Sequence, residues 1–208
     1  ISNANPLTGA FFRMVYALPF LGLIIWFRGV GDSRSTNTRF IAIIAGLFFS
    51  LDFLAYHSAV DWIGTGIGTL IGNSQVIIVT LMSWWLFGER PNRSILISLP
   101  IVMLGLFLIS GIWDDKPYGL HPVRGVIAGV LTAIFYSAFL IIYRFANREL
   151  APATNLQFDS TVGCALGLLL LSFLPLQSIH VDPINFEPTL PVHGWLLLLA
   201  ILSQVVGW

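Results

Sequence analysis

The sequence predicts an all-α integral membrane protein, a polytopic helical bundle, and three observations carry that prediction. Uncharged apolar runs recur about every thirty residues along the 208-residue chain, and runs of that kind are membrane spans. Hydrophobic residues make up 56% and charged residues only 10%, too little charge to cover a soluble surface of this size. The gaps between the runs alternate between Arg-rich and Arg-poor, and such a bias sets the direction in which each span crosses.

Seven spans follow, at roughly 7–27, 40–60, 62–87, 95–112, 123–143, 155–174 and 194–208. They are expected to be helices, because a backbone in lipid must satisfy its own hydrogen bonds. An outer-membrane barrel would show short segments of alternating polarity instead. Pro100 falls inside the fourth span and is expected to kink it. Arg28, Arg34 and Arg39 occupy the first gap, Arg90 and Arg93 the third, Arg144 and Arg148 the fifth; the other gaps hold only Lys116 and Arg124. Seven basic residues against two place the first, third and fifth gaps in the cytoplasm. The first span then runs from outside to inside, so a cytoplasmic N-terminus would need one more helix ahead of it. The chain opens in a polar stretch and stops inside an apolar run, and it is expected to be a fragment cut at both ends.

Composition narrows the function classes. The net charge is zero, which offers nothing to nucleic acid. Cys164 is the single cysteine, so an intrachain disulfide and a cysteine metal site are excluded. No cofactor motif is present. The Gly-rich part of the third span is not followed by the Lys of a nucleotide loop. An intramembrane enzyme would need a nucleophile with a base, or a metal set; there is no Gly-x-Ser-x-Gly elbow or His-Glu-x-x-His pair, and the four histidines are scattered. The reading is therefore not an enzyme. A membrane scaffold or receptor without flux is the remaining rival.

Pro6, Thr8, Phe11 or Phe12 and Arg13 open the first span; Pro152, Thr154, Phe158 and Asp159 open the sixth at similar offsets. Asp52 stands four residues before Tyr56, and Gln204 four before Trp208, at about 46 and 52 residues past the respective prolines. The repeat unit would hold an odd number of helices, about five, so its two copies face opposite ways. Inverted repeats are typical of secondary transporters, with the substrate site near the midplane. The first repeat is placed at 1–113, an outer linker at 114–122, and a truncated second repeat at 123–208.

Those residues lead to a resemblance. The stretch Asp52-Phe-Leu-Ala-Tyr56-His57-Ser58-Ala59-Val60, then Gly64-x-Gly66-x-Gly68-Thr69-Leu70-x-x-Asn73-x-Gln75-Val76, and Leu86-Phe87-Gly88-Glu89-Arg90 resembles the EamA-type branch of the drug/metabolite transporter superfamily. Arg13 and the terminal Ser203-Gln204-Val205-Val206-Gly207-Trp208 are similar as well. The resemblance implies ten helices in two repeats, of which helices two to eight would lie here. It implies export or exchange of small metabolites, amino acids or drugs without ATP, in a bacterial inner membrane. The partners it implies are a small-molecule substrate, the lipid bilayer and protons as a coupling ion; an oligomer is compatible with it.

Asp52 leads the candidates for the substrate pathway. It lies about thirteen residues past Arg39, roughly 20 Å into the membrane at 1.5 Å per residue, where a carboxylate is costly and marks function by default. The bland alternative is a neutral packing partner. Tyr56 is one turn further on the same face, as cavity wall or interfacial anchor. His57 and Asp61 have metal-ligand spacing but lie at a helix end, and a metal site is rejected. Arg13 is either a contact for an anionic group or a snorkelling side chain; Asp159, its repeat counterpart, is either an inner-gate carboxylate or simply interfacial. Gly64, Gly68 and Gly72 form a small-xxx-small packing face. Thr65, Thr69 and Asn73 form a polar stripe beside it, expected to face protein or a water-filled cavity, with Gln75, Tyr136 and Gln204 as weaker candidates.

Overall fold

The computed structural model describes residues 5–29, 31–109, 119, 121–149, 152–174, 182–186 and 190–206. These residues form helices α1 (Pro6–Arg28), α2 (Thr36–Ile63), α3 (Thr65–Gly72), α4 (Gln75–Phe87), α5 (Arg93–Ile109), α6 (Pro122–Ala146), α7 (Ala153–Ser172) and α8 (Leu190–Ala200). A short 3-10 turn, Asn147–Glu149, follows α6, and α8 runs on into a π-helical turn, Ile201–Val206. No strand occurs among the described residues.

The ends of the helices follow local chemistry. Asn5 caps α1, its side chain accepting hydrogen bonds from the Leu7 and Thr8 amides at 2.8 and 3.4 Å, and Pro6 fills the first position, where no N–H is needed. Gly29, at φ 58°, ends the helix in the left-handed conformation that glycine adopts without penalty. Ser35 holds the start of α2, accepting from the Thr38 amide at 3.2 Å. Helix α5 continues through Pro100.

Four helical stretches are long and apolar enough to cross a membrane: Pro6–Arg28, Thr36–Ile63, Thr65–Phe87 and Pro122–Ala146. The chain is a polytopic helical membrane protein. Of the other expected spans, α5 has 17 described residues and 110–112 lie outside the description. Helix α7 is long enough but opens with Asn155, Gln157, Asp159, Ser160 and Thr161, all buried, so its polar half faces protein. Apolar side chains left exposed on α4 and α5, among them Leu81, Trp84, Trp85, Ile97, Ile101 and Leu104, form the kind of surface that lipid covers and water does not.

Two corrections concern the third span. It was expected as one helix over 62–87; instead α2 runs on to Ile63, the chain turns at Gly64, and the span is the helical stretch Thr65–Phe87, tightened at Asn73 and Ser74, where bonds of i to i−3 type separate α3 from α4. At φ 82°, Gly64 supplies a backbone conformation that other residues rarely adopt, and open space surrounds the position its Cβ would take. Gly64 is thus a turn residue and not part of a packing face. Gly68 does pack, within 3.3 Å of the Val60 amide nitrogen for a built Cβ.

The chain divides into two compact units. The first comprises Ile1–Ser50 and Ile142–Trp208, the second Leu51–Ile141. Both α2 and α6 are shared by the units. The sequence repeats at 1–113 and 123–208 remain a proposal about ancestry and symmetry; most of the 114–122 linker lies outside the described residues.

In the first unit α1 packs on α7 and α8, burying Met14, Ala17, Leu21 and Ala200. The segment 182–186 is tied to the start of α1: Asn5 Nδ2 donates to the Asp182 and Pro183 carbonyls at 2.9 and 2.8 Å, and the Asn185 amide donates to Thr8 Oγ1 at 2.8 Å. Helices α2 and α7 approach backbone to backbone. A Cβ on Gly46 would strike the Ser160 carbonyl, one on Gly163 the Ile43 carbonyl, and one on Gly167 the Ser50 hydroxyl. This is a small-xxx-small interface, with Ala42, Gly46 and Ser50 on α2 facing Gly163 and Gly167 on α7.

In the second unit α6 carries Gly125, Gly129, Ala133 and Ser137 at four-residue intervals. Ile63 sits on Gly125 and Ile71 on Gly129, and Ser137 donates to the Ala133 carbonyl at 2.6 Å and lies 3.4 Å from the Gln75 carbonyl. Helix α3 is held against α6 by that stripe, and this placement builds the pocket below.

Candidate functional site

The second unit contains a pocket of about 280 Å³ lined by Asp52, Tyr56, Thr69, Gly72, Asn73, Gln75, Thr132 and Tyr136. Helix α2 supplies Asp52 and Tyr56 one turn apart. The last turn of α3 and its junction with α4 supply Thr69, Gly72, Asn73 and Gln75. Helix α6 supplies Thr132 and Tyr136, also one turn apart.

The junction of α3 and α4 explains why polar groups gather here. Asn73 ends α3, its side chain folding back to donate from Nδ2 to the Thr69 carbonyl at 2.8 Å. The Thr69 carbonyl also accepts the Asn73 backbone N–H at 2.9 Å, and the two bonds together fix the amide at the pocket wall. Tyr56 Oη lies 3.0 Å from Thr69 Oγ1, which holds the tyrosine ring in place. Gly72 leaves room for α6: a Cβ there would come within 3.1 Å of Thr132 Cγ2.

Asp52 is only 7% exposed, and its Oδ1 has no hydrogen-bond partner. Thr132 is 4% exposed, with Oγ1 in the same state. Buried polar atoms are normally satisfied, and both of these residues line the pocket. A group entering it would find a polar wall with one carboxylate, two hydroxyls from threonine, two amides and two phenols.

The structure thus brings together Asp52, Tyr56, Thr69, Asn73, Gln75 and Tyr136 from the sequence candidates, and adds Gly72 from the glycine face. Thr65 is exposed at the start of α3 and does not line the pocket. Thr132 was missed; its spacing of four from Tyr136 on an apolar helix was the available signal. His57, at the back of Asp52, bonds through Nδ1 with the Phe53 carbonyl at 2.8 Å.

Arg13, Asp159 and Gln204 belong to the first unit and form a different environment. Asp159 is 5% exposed, and its Oδ2 lies 2.8 Å from Arg34 Nη2. The contact is a buried ion pair. Arg34 grips Asp32 with two bonds, Nε to Oδ1 at 2.8 Å and Nη2 to Oδ2 at 2.7 Å, a fork geometry particular to arginine. Arg39 stands 3.8 Å from both carboxylates. The guanidinium of Arg34 holds the Asp32 carboxyl down to about 2, and Asp32 raises the pKa of Arg34 in return. Arg34, read from sequence as a topology determinant, is buried and is the centre of this cluster.

Gln204 lies in the π-helical turn and accepts from Gln157 Nε2 at 3.1 Å; Tyr143 donates to Gln157 Oε1 at 3.3 Å. Both glutamines are 4% exposed. Arg13 sits on α1 with its Nε buried. Tyr16 on α1 bonds to His193 Nδ1 on α8. Trp208, the proposed partner of Gln204 in the repeat, lies outside the described residues.

Helices α4 and α5 thus present apolar surface of the kind lipid covers, and the polar pocket lies beside the junction of α3 and α4. A family model described as the EamA-like transporter family matches residues 1–111, more than half of the chain. The chain belongs to that family, whose members are membrane transporters. It is also 24% identical over 195 residues to a Na(+)/H(+) antiporter, NhaB, of Pasteurella multocida (strain Pm70), an alignment covering 86% of this chain. The chain spans 35% of the length of that curated relative. No solved structure matches.

Proposed function

We propose that this chain belongs to a secondary transporter of the bacterial inner membrane that exports small molecules by alternating access. The observation that carries the reading is the pocket around Asp52: a buried carboxylate with an unpartnered oxygen, ringed by polar side chains, on helices that otherwise present apolar surface. Intramembrane carboxylates so placed are functional by default, and the substrate sites of transporters lie near the midplane. Family membership supports transport over an enzymatic or scaffolding role.

Coupling to protons through Asp52 is part of the proposal. The sodium–proton antiport for which the Pasteurella relative is named is compatible with an ion-coupled carrier but belongs to that protein. The Asp32–Arg34–Asp159 cluster lies at the end of the spans that the arginine bias assigns to the cytoplasm, and it would serve as the inner gate.

The test expresses the gene in cells beside an Asp52→Asn variant and compares metabolites in medium and cytoplasm. Selective loss of a compound to the medium, abolished by the substitution, is the expected result. Identical profiles with protein confirmed in the membrane would sink export. Flux of the exported compound that stays dependent on a pH gradient in Asp52→Asn would remove the proton-coupling role of that residue.

A further inference from the structure

We infer that the Asp52 pocket selects small organic monocations, aromatic or aliphatic amines without a carboxylate, over amino-acid zwitterions and organic anions. This rests on the reading of the pocket as the substrate site and adds the substrate class to it.

The charge of the lining is the first ground. Of the eight lining residues one is acidic and none is basic. A zwitterion's ammonium would meet Asp52, but its carboxylate would find no counter-charge in the lining and would stand close to a second carboxylate. Taking a charge from water without a partner costs far more than the neutral hydrogen bonds on offer return. An amine brings the one charge that the site lacks.

Hydrogen-bonding capacity is the second. Asp52 Oδ1 and Thr132 Oγ1 are buried without partners, and both are acceptors, the threonine hydroxyl serving also as a donor. An alkylammonium carries three donors and no acceptor. One of the two Asn73 Nδ2 hydrogens is engaged with the Thr69 carbonyl, and its carbonyl oxygen adds a further acceptor. The two unpartnered buried atoms beside the pocket are thus both acceptors, and an ammonium seated against Asp52 brings donors to that side of the wall.

Size and surface are the third. About 280 Å³ is at the small end of ligand pockets and excludes large drug-like cations. A bare metal ion would leave most of that volume to water. Tyr56 and Tyr136 bound the site on two helices, and an aromatic face attracts an ammonium or packs against a ring. The Tyr56 hydroxyl is tied to Thr69, so this wall is set before a ligand arrives.

The test uses three probes that share one carbon skeleton: phenethylamine as cation, phenylalanine as zwitterion and 3-phenylpropionate as anion. Binding of labelled phenethylamine to the purified protein is measured, with the other two and sodium chloride as competitors, and uptake of each probe is then followed in proteoliposomes. Phenethylamine is expected to bind at least about tenfold more tightly than phenylalanine, with 3-phenylpropionate and sodium failing to compete. Asp52→Asn should weaken phenethylamine by about 30-fold or more, as expected for removing one member of a desolvated charge pair. Asp52→Glu should recover part of the affinity, and Thr132→Val, which keeps the shape of the wall, should lose about three- to tenfold through one hydrogen bond.

Equal or tighter binding of phenylalanine or 3-phenylpropionate overturns the cation class while leaving a transport role intact. Sodium competing at concentrations equal to the amine overturns it in favour of a metal ion. Undiminished binding in both Asp52→Asn and Thr132→Val overturns the site, and absence of phenethylamine binding to the folded protein overturns the proposal outright. Amine binding without uptake keeps the inference and defeats the transport reading.

Discussion

Asp159 and Asp52 are both carboxylates buried in apolar helices, and they meet opposite fates. Asp159 on α7 faces Arg34 at 2.8 Å, within a cluster that also holds Asp32 and Arg39. Asp52 on α2 has an oxygen without a partner and borders a pocket. The first unit surrounds its carboxylate with charge and closes α2 on α7 with glycines. The second tightens a helix beside its carboxylate and leaves space. A buried charge paired within the protein holds structure in place, whereas one left facing a cavity is available to a ligand.

The largest expected effect tests the paired side. Arg34→Ala would leave buried Asp159 with only the exposed Arg39 at 3.8 Å as counter-charge, and the loss should be up to about 3–5 kcal/mol, read as a fall in the thermal midpoint of the protein in detergent. Replacing Arg34 and Asp159 together by leucine should cost much less than the single change, because no orphan charge is left. If single and double variants were equally unstable, the cluster would not be working as a pair.

Glycine packing in the first unit comes next. In Gly163→Ala the added methyl meets the Ile43 carbonyl, a backbone atom that cannot swing away, and the cost should be about 1–3 kcal/mol. Gly105→Ala on α5 is the matched control: nothing lies within 4 Å of its Cβ position, so stability should hold or rise by up to about 1 kcal/mol from helix propensity. The same detergent melting series reads both, and equal losses would dissolve the contrast between a closed interface and a lipid-facing helix.

Asp52→Asn is expected to leave stability within about 1 kcal/mol of the parent, or to raise it, since it removes a charge that the protein does not pair. A collapse of the fold would mean that Asp52 is structural after all.

The smallest effect is a pH dependence. Arg34 depresses the Asp32 carboxyl from 3.8 to about 2 in the folded state. The stabilisation that this gives is fully present above pH 3.8 and is lost as pH falls through about 2, because protonation releases the ion pair. Acid titration of unfolding should show this loss in the parent and not in Asp32→Asn.

Much of this was legible in sequence because membranes impose simple rules. The spans at 7–27, 40–60 and 123–143 agree with α1, α2 and α6 to within a few residues. Spacing alone grouped Asp52 with Tyr56, and Thr69 with Asn73. What the pattern missed was local: hydropathy registers neither the turn at Gly64 nor the tightening of the helix at Asn73 and Ser74, which sit between strongly apolar runs. Gly64, Gly68 and Gly72 look alike as a stripe, yet Gly64 turns the chain. The glycines that pack most closely, Gly46 and Gly163, stand far apart in the sequence, where no period links them.

The sequence by itself determined that the chain is helical, crosses a membrane and carries an intramembrane carboxylate, since apolar run length and the cost of burying charge are local properties. Only the tertiary structure decided which carboxylate is paired and which is open. Arg34 is separated from Asp159 by more than a hundred residues, and Thr132 from Asp52 by eighty, and it is the packing of α2 on α7 and of α3 on α6 that sets what each charge meets.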